Sequence, residues 1–84
     1  MKRDIDLVRK LLIYLEEKPN GKIVKDLELE GFLKGEVQYH LILMDQAGLI
    51  NCERSVSSTT SDRVIRVYPF SLTWVGHEFL EASR

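Results

Sequence analysis

The chain has 84 residues, 44% hydrophobic and 30% charged, which is enough for one domain around one small core and leaves little surface for an elaborate catalytic pocket. Twelve Lys and Arg stand against thirteen Asp and Glu, a formal charge of −1, so the chain lacks the cation surplus that neutralises phosphates in non-specific nucleic-acid binders. Cys52 is the only cysteine, which excludes an internal disulfide and a cysteine-based zinc site, and no apolar run approaches the ~20 residues that span a bilayer.

The amino terminus, Met1-Lys2-Arg3-Asp4, has no signal-peptide core, and a cytoplasmic location is expected. Residues 4–18 place Ile5, Val8, Leu11, Leu12 and Leu15 at helical spacing, with Asp4 and Asp6 at the positive end of the helix dipole. Pro19-Asn20-Gly21 stops this helix. Leu7 and Tyr14 widen its apolar face, and Ile13 lies off it. Either the other elements wrap the helix, or Leu7, Leu11 and Tyr14 meet a second copy in a homodimer.

Residues 22–31 carry two patterns. The run Asp26-Leu27-Glu28-Leu29-Glu30 alternates as a half-buried strand does, whereas Ile23, Val24 and Leu27 also fit one helical turn. A short strand is the expectation and the helical turn its alternative. Residues 33–47 then form a helix with Val37, His40, Leu41, Leu43, Met44 and Ala47 on one side. Lys34, Gln38, Ile42, Asp45 and Gln46 fall on the other side, with Tyr39 at the border. Gly48 supplies the left-handed residue that ends many helices.

Residues 49–56 and 63–72 read as two strands joined by the polar tip Ser57-Ser58-Thr59-Thr60-Ser61-Asp62. Cys52, in the first of them, is expected as a small buried apolar residue. Pro69, in the second, requires an edge position or a bulge. Thr73 caps a last helix over residues 74–83, whose core face is read as Trp74, Phe79 and Leu80. The chain shows no internal repeat and no linker, and is read as a single domain over residues 1–84.

Helix, short strand, helix, hairpin and helix in this order make an α+β chain that resembles the winged-helix regulators. The resemblance rests on Gly48-Leu49-Ile50 after the second helix and Leu72-Thr73…Gly76 at the start of the last one. A longer resemblance is to a small family of uncharacterised bacterial and bacteriophage proteins, a domain of unknown function. It is carried by Met1-Lys2-Arg3-Asp4, Tyr39-His40-Leu41, the run Ala47-Gly48-Leu49-Ile50 and Leu72-Thr73-Trp74 with Gly76-His77 and Phe79-Leu80. It implies a winged-helix fold and a phage or prophage setting, and it brings no established activity.

Two functions follow as expectations. As a transcriptional regulator, the domain would place its second helix in the major groove of double-stranded DNA. Lys34, Gln38 and Tyr39 would then face bases or phosphates, and Arg54, Arg63 and Arg66 would hold the backbone from the wing. Glu28, Glu30, Glu36 and Asp45 oppose phosphate on the same side, so such a binder would work as a homodimer that doubles a weak positive surface. The alternative is a winged-helix docking module for a host or phage protein, motivated by the broad first helix and by Ile13 and Ile42 on polar faces. Catalysis has little support. His40 and His77 are the only histidines, and no phosphate loop, catalytic triad or metal-ligand spacing is recognisable. His40 is expected as a structural residue near Thr73 or Trp74. No catalytic residue, cofactor or metal is expected, nor a membrane contact.

Overall fold

The computed structural model describes residues 2–18, 22–25, 27–56 and 64–84. The polar tip at residues 57–62, and with it Arg63, lies outside them, as does Asp26. The architecture is α+β, three helices and a two-stranded antiparallel hairpin, an arrangement compatible with a winged helix.

Helix α1 (Ile5–Glu17) begins where Asp4 turns extended and its carboxylate accepts the amides of Asp6 at 2.9 Å and Leu7 at 3.3 Å, satisfying donors the helix leaves unpaired. It ends at Lys18, an extended residue directly before Pro19, where a following proline disfavours helical backbone. Its face Leu7, Val8, Leu11, Leu12 and Leu15 is buried in this chain's own core, with Leu7 and Leu11 at 0% exposure. Those two side chains are therefore unavailable to a second copy, and only Tyr14 of the expected dimer trio reaches the surface. Ile13 and Ile42 pack partly against the same core rather than standing free on polar faces.

Helix α2 (Lys34–Gln46) starts after Leu33, whose amide donates to the Glu36 carboxylate at 3.3 Å. It closes in a Schellman motif. Gly48, at φ 75°, donates to the Asp45 carbonyl at 3.0 Å, and Leu49 donates to the Met44 carbonyl at 2.9 Å. On its core side His40 is fully buried. The His40 Nε2 accepts the Asp4 amide at 2.8 Å, while Nδ1 lies 2.8 Å from the Glu36 carbonyl and must be the donor there. The ring is thus a neutral imidazole protonated at Nδ1, and it ties the start of α1 to α2. Its partners are Asp4 and Glu36 rather than the expected Thr73 or Trp74.

Strands β1 (Ile50–Val56) and β2 (Val64–Leu72) pair from Ile50↔Leu72 outward. The register slips between Asn51↔Ser71 and Cys52↔Pro69, so Phe70 is the extra residue of a bulge beside the proline. A second slip leaves Ile65 unmatched between Arg66 and Val64. The far edge of β2 has its own partners. The Gln38 side chain acts as a peptide group, its Oε1 accepting the Val67 amide at 3.0 Å and its Nε2 donating to the Val67 carbonyl at 3.2 Å. Two residues on, Pro69 has no amide to satisfy, and its carbonyl accepts the Val24 amide at 2.9 Å.

That edge explains why the short strand expected at residues 26–30 is not formed among the described residues. The Val67 groups are taken by a side chain, leaving one carbonyl for one backbone amide, that of Val24. Leu27, Glu28 and Leu29 have no regular structure, and Glu30 and Gly31 turn at φ 89° for the glycine. The alternative helical turn is absent as well: residues 22–25 form no helix. Leu27 is nonetheless buried, Val24, Leu29 and Phe32 pack partly against the core, and Glu28 pairs with Lys34, so side chains hold the segment more than backbone hydrogen bonds do.

Helix α3 (Trp74–Ser83) is capped by Thr73, whose hydroxyl accepts the Gly76 amide at 3.0 Å and donates to the Gly48 carbonyl at 2.5 Å. The Thr73 amide donates to the Leu49 carbonyl at 3.0 Å. Gly76 sits so close to that carbonyl that a Cβ would lie 2.0 Å from its oxygen. The core face of α3 runs through Gly76, half-buried Phe79 and fully buried Leu80. Trp74, expected in that face, is 79% exposed instead. Its position, two residues before Gly76, puts it about 200° around the helix from the buried stripe.

Two glycines should therefore fail for different reasons. Gly48→Ala meets open space but a left-handed backbone, and is expected to cost about 1–2 kcal/mol. Gly76→Ala meets backbone, so it should cost about 3 kcal/mol or more. Thermal denaturation checks the order, since 1 kcal/mol moves the midpoint of so small a domain by roughly 4–8 °C. His40→Ala should lower stability by about 3 kcal/mol and specifically lose exchange protection at the Asp4 amide.

Candidate functional site

The residues expected to read DNA do not form one basic surface. Lys34, at the exposed start of α2, pairs with Glu28 at 3.0 Å. Gln38 turns inward to the β2 edge, so it is not on the solvent side of α2. Tyr39 is half-buried, its ring edge-on to His40 with centroids 5.5 Å apart. Arg54 forks onto Asp45, with Nε to Oδ2 at 2.6 Å and Nη2 to Oδ1 at 2.5 Å. Arg66 is exposed on β2 and lies 5.7 Å from the centre of the Tyr68 ring. Arg63 is outside the described residues. Glu28 and Asp45, which oppose phosphate, thus each hold one of the cations meant to attract it.

The Asp45–Arg54 pair has a third member. Cys52 is half-buried on β1 rather than fully buried, and its thiol lies beside the Asp45 carboxylate. Desolvation, then the neighbouring Asp45 carboxylate, push the thiol up to about 11 from the usual 9.0. The Arg54 hydrogen bond holds Asp45 below the usual carboxylate value of 3.8. Asp45 therefore adds stability above that value, lost as pH falls through its lower folded value. A cysteine protonated to this degree is a poor nucleophile and metal ligand at neutral pH.

The face that sequence reasoning missed is the outer side of α3. Trp74, His77, Glu78, Glu81 and Ala82 follow each other at helical spacing and line a shallow surface depression. The Trp74 indole N–H donates to the Glu78 carboxylate one turn on, which fixes the ring along the helix. Val75, 54% exposed, adjoins it. The signal was present: Gly76, Phe79 and Leu80 share one stripe, and Trp74 with Glu78 and Glu81 shares the opposite one. Among the described residues, no group of three or more His, Cys, Asp or Glu could hold a metal ion. No helix among them is long and apolar enough to cross a membrane.

The triad of Cys52, Asp45 and Arg54 gives a direct readout. Alkylation of Cys52 by iodoacetamide in the native protein should rise with a midpoint near pH 11, against about 9 in denaturant. Asp45→Asn removes the carboxylate charge and should move the native midpoint down toward that of the unfolded chain. Mass spectrometry of the alkylated protein across pH measures both.

Comparison with known proteins leads to relatives without a described activity. A protein of Haemophilus influenzae (strain ATCC 51907 / DSM 11121 / KW20 / Rd), described as an uncharacterized protein, is 36% identical over 86 residues, covering 100% of this chain and 69% of its own length. No solved structure matches the chain. The family model described as "Hypothetical protein (DUF2513)" matches residues 2–84. With that match running from Lys2 to Arg84, the chain belongs to the DUF2513 family.

Proposed function

We propose that this domain is a protein-docking module of winged-helix-like architecture, and that it engages its partner through the outer stripe of α3. The observation that carries this reading is the 79% exposure of Trp74 beside the 54% exposure of Val75, in a protein with a single tryptophan. Burying a large aromatic side chain is worth a few kcal/mol, and tryptophan is enriched among the residues that dominate protein interfaces. Glu78 and Glu81 flank the ring, so the complementary surface is an apolar side chain bordered by Lys or Arg. A host or phage protein in the bacterial cytoplasm is the partner this reading requires.

Double-stranded DNA is the second reading, supported by the hairpin arrangement and by exposed Arg66 and Lys34 at the wing and the start of α2. As a regulator, the domain would bind as a homodimer, with Tyr14 the one exposed member of the trio expected to join its first helices. Against it, Lys34 and Arg54 would have to leave Glu28 and Asp45 to neutralise phosphates.

The readings separate experimentally. Trp74→Ala should leave the melting temperature nearly unchanged, because an exposed side chain contributes within about 0.5 kcal/mol. It should abolish retention of the partner that the immobilised wild-type protein captures from a lysate of its source organism. Reversal of Glu78 and Glu81 to Lys should do the same. Binding of a labelled duplex pool that weakens steeply with salt and with Arg66→Ala, yet ignores Trp74→Ala, would replace this reading with the DNA one.

A further inference from the structure

A second feature lies where the three helices converge, away from the α3 outer stripe. Val8 and Met44 are buried at the base of a cleft whose walls are the half-buried Leu43 and Phe79. Ile5, 38% exposed, stands at its mouth beside Arg3. The cleft holds about 160 Å³. That is close to the ~150 Å³ at which an engineered apolar cavity accommodates benzene. Met44 gives the base an adaptable side chain.

Arg3 is exposed and makes no ion pair or hydrogen bond among the described residues, although Asp4, Asp6 and Glu36 line the adjoining polar depression with it and Lys2. An exposed guanidinium lining an apolar cleft supplies the one charged contact that small-molecule sites commonly place beside an apolar body. Lys2 and Arg3 stand against the three carboxylates of that depression, so it has no positive excess, and a ligand is limited to a single negative charge held at Arg3.

We infer that this cleft binds a small monocarboxylate with a ring-sized apolar body, the body resting on Val8, Met44 and Phe79 and the carboxylate on Arg3. A ligand of this size contacts all three helices and binds in the range of about 1 mM, given its few heavy atoms. The inference is independent of the docking stripe, since no residue lines both sites.

Benzoate is the probe. Titrated into the isotopically labelled full chain at constant ionic strength, it should give saturable amide shifts centred on Ile5, Val8, Met44 and Phe79. Benzyl alcohol, which keeps the ring and lacks the charge, should bind at least about tenfold more weakly, and Arg3→Ala should lose about the same factor for benzoate alone. Ile5→Trp, a change at the exposed mouth that spares the core, should block both compounds. Shifts that never saturate, equal affinity for the alcohol, or benzoate binding that survives Arg3→Ala in a folded protein would each overturn the assignment.

Discussion

The close approach of Gly76 to the Leu49 carbonyl organises the rest of the molecule. That carbonyl belongs to the residue leaving the Schellman turn, and it also accepts the Thr73 amide. One backbone oxygen therefore registers the end of α2, the start of β1, the end of β2 and the start of α3. Thr73 adds a second tie by linking the Gly48 carbonyl to the Gly76 amide through its hydroxyl. With four element ends brought to one point, the base of the hairpin is held in register with the helices on either side, and α3 packs against α1 and β2. Cooperative folding in so short a chain needs such a junction, because a core of this size leaves a small stability margin.

The N-terminal half is joined to this unit by different means. Its leucine face fills the space between α2 and α3, and buried His40 fixes where α1 begins by accepting the Asp4 amide. A neutral ring can receive that amide only in one tautomer, so α2 determines the position of α1 through a hydrogen bond as well as through packing. The connecting segment adds one hydrogen bond from Val24, the burial of Leu27 and the partial packing of Leu29 and Phe32.

Periodicity made the three helices and the two strands legible, because each carries an apolar stripe or a dense run of β-formers, and α1, α2 and β2 end beside Pro19, Gly48 and Thr73, residues with a definite conformational effect. Gly48 and Thr73 could be read from residue type alone, since both act on their own backbone. What escaped was decided by partners distant in sequence. Asp26-Leu27-Glu28-Leu29-Glu30 has a strand's alternation, but a strand exists only with an edge to join, and Gln38 occupies that edge. Gln38 looked like a solvent-facing reader of bases because nothing local shows that a strand 29 residues away needs its amide. Trp74 differs, because its angle on the helix, about 200° from Gly76, was local information that places it opposite the core face. Arg54 and Lys34 were identified as cations correctly, yet their availability depends on Asp45 and Glu28, which only the folded geometry brings to them.

The amide of Gln38 has one further consequence. An unprotected outer strand is a template onto which any extended chain can zip, whether a ligand peptide, a sister molecule or a growing fibril. In this protein that template is blocked at Val67 by a side chain and at Pro69 by a missing amide and the Val24 contact. The hairpin is thereby closed to partners that arrive as strands along this margin. Recognition along this margin is left to groups that come side chain first, and the same two residues keep the outer edge of β2 from pairing with a second copy.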